Sequence, residues 1–353
     1  MYRWLAILGL LLAMTTTGVV HAKDSVAQTK KPSAAHKNQR AKKPSKKVSN
    51  APAWVASSRF RGWDYLVGRL RERGVHDQDL ALIYQNPGMP RFTYVPFSLA
   101  PREKSSIYRN FSKPVYAARG AAFIRENSGM FDRIDEQLKV PREVVTAILV
   151  IESGIGKNTG NEMIVYRLSR LASVCDPDNL KHNYSIQSKK DPSVTFDDVR
   201  VRCAYLEETF LPEIPALIEI SKRNQVPVLK VQGSSAGAFG LPQFLPSAFL
   251  RFGMDGDQNG MVSLFHPADA AWSAANYLSS YGYRDDATEA EKRAVIWRYN
   301  KSDAYIDAVL SLSRNIRHEL DMATPIPVLA AEVAGTPCEG SACPSFEEAK
   351  RNS

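Results

Sequence analysis

Residues Val144 to Ile151 form a run that is apolar but for Thr146, and the run ends in Glu152-Ser153-Gly154-Ile155-Gly156. Pro141 stands where it can open a helix at its first turn, and a helix this apolar is buried along its length. A carboxylate at the end of such a helix loses the hydration that its charged form needs. Its proton affinity then rises, and it stays protonated near neutral pH. A protonated carboxyl is a general acid, the group required to hand a proton to the oxygen leaving a glycosidic carbon. Read alone, the same pattern is also an ordinary solvated helix end in front of a glycine.

Three later segments add to it. They are Ser234-Ser235-Ala236-Gly237-Ala238-Phe239-Gly240-Leu241-Pro242-Gln243-Phe244-Leu245-Pro246-Ser247, then Asp269-Ala270-Ala271 leading to Ala275-Asn276-Tyr277-Leu278, and finally Arg298-Tyr299-Asn300 with Ser302 and Tyr305. Glu-Ser-x-x-Gly after an apolar helix resembles the lysozyme-like lytic transglycosylases. The three further segments, in the same order over about 170 residues, are similar to those of the membrane-bound lytic murein transglycosylase B family. The resemblance implies a mainly α, lysozyme-like (α+β) fold with a helical body and a small calcium-loop-like lobe. It implies that Glu152 is the catalytic residue, and that Ser153, Gln243, Tyr277, Tyr299, Asn300 and Tyr305 contact the glycan, with Tyr277 behind or beside the others. Amide and phenol groups can hydrogen-bond acetamido and hydroxyl groups while the rings pack on sugar faces. Tyr277, at helical spacing, also reads as a core residue.

The implied substrate is peptidoglycan, cleaved between N-acetylmuramic acid and N-acetylglucosamine with closure of a 1,6-anhydro ring and no cofactor. Two-carboxylate glycosidases set a contrast: Glu162, Asp176 and Asp178 are the acids nearest to Glu152 in sequence, and none matches a catalytic position of the family. A hydrolytic muramidase and a non-catalytic wall-binding scaffold remain as alternatives. Where the family often has Trp in the acid's motif this chain has Ile155. Gly237 and Gly240 lack the strand-to-helix context of a phosphate loop, which excludes a nucleotide site. They are expected to let backbone approach the glycan.

Asp255-x-Asp257-x-Asn259-Gly260-Met261-Val262 has the opening of a helix-loop-helix calcium loop, with oxygens at positions 1, 3 and 5, Gly at 6 and an apolar residue at 8. Position 12 is His266 instead of a bidentate Glu. Asp269, three residues later, matches the acid that the family uses. The expected ligands of a structural calcium ion are Asp255, Asp257, Asn259, the Met261 carbonyl and Asp269. A metal-free turn is the alternative.

These residues need a frame. Phe60, Trp63, Leu66, Val67 and Leu70 recur at helical spacing up to a cap at Gly74. Further helices are expected over 116–138, interrupted at Gly129, and over 202–224, 268–280 and 302–319. Strands are expected only at 92–95 and 226–231. One catalytic domain over 54–323 follows, with a flexible tail at 324–353. Residues 1–22, with Arg3, an apolar run and Val20-His21-Ala22, read as a secretory signal. No cysteine follows the run, so the expected location is the periplasm or cell envelope, exported but not as a lipoprotein.

The net charge of +9 belongs to the linker at 23–53. Nine Lys or Arg stand against Asp24 over 23–50, and removing that +8 together with Arg3 leaves residues 51–353 without net charge. The body therefore carries no nucleic-acid signature. The linker is a solvated tether suited to anionic envelope surfaces or to simple spacing. Four cysteines in an exported chain form disulfides, and their positions favour Cys175 with Cys203 and Cys338 with Cys343. The stretch between Cys175 and Cys203 is expected to be a stapled surface loop.

Overall fold

The computed structural model describes Val55 and residues 57–101 and 105–323. The signal segment, the basic linker, the tail at 324–353 and the pair Cys338–Cys343 lie outside those residues. Among them no helix is long and apolar enough to cross a membrane.

Helix α1 (Asp64–Glu72) buries Leu66, Val67 and Leu70 and ends where Gly74 adopts a φ of +80°. Phe60 and Trp63 precede it, in a turn with left-handed Arg61 and Gly62. Helix α2 (Asp77–Tyr84), a 3-10 segment (Ser105–Ser112) and α3 (Pro114–Glu126) follow. The break before α4 (Ser128–Leu138) falls at Asn127, whose amide donates to the Phe123 carbonyl, and not at Gly129.

Helix α5 (Arg142–Ser153) is the spine. Every residue from Val144 to Ile151 is buried, each large aliphatic contributing on the order of 2 kcal/mol. Around it lie α3, α4, α11 (Pro267–Ser280) and the long α13 (Asp303–Ala323). Gly120 sets the closest crossing, because a Cβ there would stand 2.5 Å from Ile316 and 3.3 Å from Thr146.

Beyond α5 a two-stranded antiparallel sheet pairs β1 (Glu162–Met163) with β2 (Gln232–Gly233). Between the strands run α6 (Ile164–Ala172), α7 (Pro177–Lys190), α8 (Phe196–Phe210) and α9 (Glu213–Arg223). Helices α10 (Pro246–Phe252) and α12 (Glu289–Tyr299) complete a mainly helical fold, as expected for the lysozyme-like class.

Several expectations are corrected. Segment 92–95 is extended but has no strand partner: Val95 and Phe97 donate to the side chains of Asn179 and Asn183, and Gln187 donates to the Phe97 carbonyl. A ladder of amides on α7 takes the place of a neighbouring strand. Segment 226–231 turns instead into a 3-10 helix (Val228–Lys230) after left-handed Gln225 and Pro227. The helix expected over 202–224 is two helices, parted at Leu211–Pro212. Cys175 and Cys203 are joined, with Cα atoms 5.2 Å apart, but the stretch between them is the helical pair α7 and α8 rather than a loop. Asp176 caps α7, and a Thr195–Asp198 capping box starts α8.

Glu213, at the start of α9, is fully buried and accepts the Ser247 N–H and the Ser247 hydroxyl, each at 2.9 Å. It thereby anchors α10 just after Gln243. Burial pushes its carboxyl up to about 7, and the two Ser247 bonds pull the other way without cancelling this. The folded state thus holds this proton more tightly than the unfolded chain does. The stability of the neutral acid is present below the ordinary value of 4.5 and is lost as pH rises towards 7, a loss of about 3 kcal/mol. Glu213→Gln mimics the neutral acid. In thermal denaturation it is expected to gain about 2–3 kcal/mol on wild type at pH 8 and almost nothing at pH 4.5; an equal shift at both would refute this.

Candidate active site

The last turn of α5 delivers Glu152 half-buried, between buried Ile151 and Ser153. The helix stops because Gly154 and Ile155 both adopt left-handed backbone, φ +62° and +58°. For Ile155 this is costly, since a β-branched residue rarely takes that conformation. The position where the family often has Trp is thus a strained corner carrying a half-buried aliphatic.

Ser153 is buried. Its hydroxyl donates to the Leu241 carbonyl at 2.9 Å and to the Leu149 carbonyl at 3.3 Å, and accepts the Gly156 N–H at 2.9 Å. It latches the catalytic helix to the Gly-rich segment.

That segment bends back on itself through a bridge between Phe239 and Phe244. At its tip Gln243 adopts φ +50°, and its amide nitrogen donates to the Gly240 carbonyl at 2.8 Å and the Thr159 carbonyl at 3.1 Å. Both N–H groups are spent, so Oε1 is the atom left to accept from a ligand. The Cα hydrogens that a side chain would replace in these glycines face protein. A Cβ on Gly237 would meet Leu168 at 2.2 Å, and one on Gly240 would meet Leu264 at 2.3 Å.

Helices α12 and α13 supply the aromatic wall. Tyr305 donates its hydroxyl to Glu152 Oε1 at 2.7 Å, and Tyr299 donates to the Pro242 carbonyl at 2.5 Å. Their rings stack nearly parallel, 6.3 Å apart, while Tyr277 meets Tyr299 edge-on at 4.9 Å from the far side. Tyr277 and Asn300 are both buried. Burial, and after it the charge of Glu152, hold the Tyr299 and Tyr305 hydroxyls well above their ordinary range. Both phenols therefore remain protonated donors. The field of Glu152 reaches both rings.

The predicted residues converge, with a shift of roles. Tyr305, Tyr299 and Gln243 surround Glu152 or the turn beside it. Ser153 bonds the Leu241 carbonyl and Tyr277 packs on Tyr299, and these residues, with Asn300, are all buried. Sequence reasoning missed Tyr108, whose ring meets Tyr305 edge-on at 5.7 Å, and the carbonyls of Thr159, Gly240 and Pro242. No motif marks Tyr108, and backbone acceptors leave no trace in residue type.

Against the loop after α10, Asp269 in the first turn of α11 is buried and accepts the loop N–H groups of Gly256, Asp257 and Ser263. Asp255 accepts from Asn259 and Gly260. Asp257, His266 and Asp269 bring ligand atoms within 4.8 Å of one another. The hard oxygens of Asp255, Asp257 and Asn259 share one turn, which fits a calcium-type donor set. His266, 3.1 Å from Asp257, is the member that does not.

Residues 65–294, well over half of the chain, match the Transglycosylase SLT domain family. The membrane-bound lytic murein transglycosylase B of Escherichia coli (strain K12) is 25% identical over 175 residues, covering 50% of this chain and 41% of that protein. The chain thus matches less than half the length of this curated relative. The fold is shared with the Escherichia coli lytic transglycosylase SLT35 in complex with bulgecin A, at TM-score 0.55 and 17% identity over 77% of this chain and 96% of that one. It is shared too with the soluble lytic transglycosylase SltB1 of Pseudomonas aeruginosa, at TM-score 0.52 and 20% identity over 72% and 98%. Helical fold, motif order and the convergence on Glu152 agree with the family match, and the chain belongs to the Transglycosylase SLT domain family.

Proposed function

We propose that the protein is a peptidoglycan lytic transglycosylase that cleaves glycan strands between N-acetylmuramic acid and N-acetylglucosamine with Glu152 as its single acid and base. The observation that carries this reading is the Tyr305–Glu152 hydrogen bond, set in a wall of buried phenols whose proton affinity the charge of Glu152 raises. Two-acid mechanisms need a partner carboxylate facing the acid across the scissile bond. A lone acid suits a substrate that brings its own nucleophile.

Glu152 gives its proton to the glycosidic oxygen as the C1–O bond breaks, and the neighbouring acetamido group shares the positive charge on the muramyl ring. Glu152, now ionised, takes the proton of the muramyl 6-hydroxyl, whose oxygen bonds to C1 and closes a 1,6-anhydro ring. Atoms balance without water. The Tyr305 phenol holds Oε1 in place and stabilises the anion between the two steps. Gln243 Oε1 is the acceptor offered to a sugar N–H or hydroxyl, and Ser153 and Tyr277 position the groups that make contact.

A relative of this fold, SltB3 of Pseudomonas aeruginosa, has been solved in complex with NAG-anhNAM-pentapeptide, and the anhydro product in that complex supports the same reaction here. Mass analysis of products from purified sacculi tests the proposal. Anhydro ends lie one water below the reducing ends that a hydrolytic muramidase would leave, and reducing ends alone would overturn it. An exported, envelope location is part of the proposal, supported by the Cys175–Cys203 disulfide.

We also propose a structural calcium site on Asp255, Asp257, Asn259, the Met261 carbonyl and Asp269. A hard cation there neutralises crowded carboxylates and stiffens the loop that ends at Leu264, under Gly240. Calcium added to chelator-treated protein is expected to raise the melting temperature by several degrees. No shift at millimolar calcium would count against the site.

A further inference from the structure

Helix α6 carries two arginines one turn apart, both half-buried and both fixed by neutral groups. Arg167 donates from Nε to the Ser235 carbonyl at 3.0 Å, and its two terminal nitrogens make no bond among the described residues. Arg170 donates to the Thr93 hydroxyl at 2.6 Å and the Tyr94 carbonyl at 3.5 Å, with its guanidinium 5.7 Å from the centre of the Tyr166 ring. Neither arginine has a carboxylate within ion-pair distance among the described residues. Two adjacent cations without counterions lower stability, and such local conflicts mark functional positions. Burial lowers the proton affinity of Arg167; the charge of Glu162 opposes this from beyond ion-pair distance, and the field of Arg170 adds a smaller lowering.

The place matters as much as the charge. Ser235 belongs to the Gly-rich segment that carries Gln243, and the chain enters α6 directly from β1, four residues after Gly160 packs on Gly233. Arg167 therefore reaches the site's own segment, and Arg170 stands one helical turn along α6, bonded to Thr93 and Tyr94. Beyond Arg170 the surface changes character. Tyr94 stacks on His182 of α7 at 4.0 Å, and the charges of Asp178 and Asp176 reach Tyr94. The positive stretch is confined to the two arginines, bounded by the disulfide-closed helical pair.

We propose that Arg167 and Arg170 form a carboxylate-binding site for the peptide stems of the glycan strand, so that a stem-bearing strand is held beside Glu152. This rests on the peptidoglycan reading above. Guanidinium forks match carboxylates in two-point, charge-assisted geometry, and peptide stems carry their carboxylates away from the sugar rings, whereas removal of a stem by an amidase leaves only the lactyl carboxylate close to its ring.

The test compares wild type, Arg167→Gln and Arg167→Gln/Arg170→Gln on stem-bearing strands and on strands stripped of peptides by an amidase. On stem-bearing strands each lost arginine is expected to lower kcat/KM by about tenfold, mostly through KM, and to flatten its dependence on salt. On stripped strands the rate should stay within about twofold. Arg167→Lys, which keeps the charge without the fork, should recover part of the loss. A matched fall on both substrates would make the arginines supports of the Ser235 turn and overturn the proposal, as would no fall on either. Failure of wild type to make anhydro ends from stripped strands would strike the reaction instead. Calorimetric binding of a soluble disaccharide-tetrapeptide to the full chain, with and without Arg167→Gln, then decides the arginine site by itself: a weakened complex supports it and an unchanged one refutes it.

Discussion

Glu152→Gln is expected to abolish release of anhydro-muropeptides from purified sacculi, by at least about 10³-fold, while leaving the fold intact. General acid and base catalysis by a placed group is worth about 10²–10⁴-fold per role, and here one side chain serves both roles. The replacement is nearly isosteric, and its amide oxygen can still accept the Tyr305 hydroxyl that now reaches Oε1 at 2.7 Å. The helix above is closed by Gly154 and by the Ser153 latch, neither of which depends on the Glu152 charge. Melting should therefore stay within about 2 °C, a shift worth less than 1 kcal/mol in a domain of this size. Binding to sacculi should persist, because the mutation removes a proton and not the glycan-facing surface. Cleavage at more than about one hundredth of the wild-type rate by a stably folded Glu152→Gln protein would end the assignment and move attention to the scaffold reading.

What could be read in advance followed local physics. The spine α5 was legible because its signals agree with one another: Pro141 before it, eight buried positions along it and Gly154 after it. The motif order placed Glu152, Gln243, Tyr299 and Tyr305 in one site although 153 residues separate Tyr305 from Glu152. Where contacts between distant backbone and side chain decide the outcome, residue types misled. The β-like run Phe92–Val95 finds amides of α7 where a strand would stand, and α7 itself looked like a loop because its buried face is Asn179 and Asn183 instead of aliphatics. The same blindness affected roles. Ser153 reads as a ligand group in sequence, and its hydroxyl bonds the Leu241 carbonyl, a partner 88 positions away that nothing in its neighbours announces. Gly237 and Gly240 look like room left for a glycan, and the room is already taken by Leu168 and Leu264.

Gly240→Ala is accordingly expected to be the most damaging single methyl group in the active-site turn. The backbone there sits at φ +75°, which costs an L side chain roughly 1–2 kcal/mol. The new Cβ would lie 2.3 Å from the Leu264 Cβ and 2.8 Å from the Leu264 carbonyl oxygen. That carbonyl cannot simply retreat, because it accepts the Leu241 N–H at 2.8 Å. Overpacking against fixed backbone adds about 1–3 kcal/mol, giving a total of about 2–5 kcal/mol. Activity should suffer beyond the loss of folded protein. The Gly240 carbonyl holds the Gln243 amide and the next residue's carbonyl holds Ser153, so any displacement reaches the acceptor and the catalytic helix together. At a temperature where the variant is still folded, kcat on sacculi should fall at least about tenfold. Gly68→Ala is the matched control: in α1, with ordinary φ and nothing within 4 Å of the added Cβ, it should stabilise by about 0.5–1 kcal/mol and leave activity alone. If Gly240→Ala instead melts and turns over like Gly68→Ala, the turn is not held by Leu264, and the positioning assigned here to Gln243 and Ser153 falls with it.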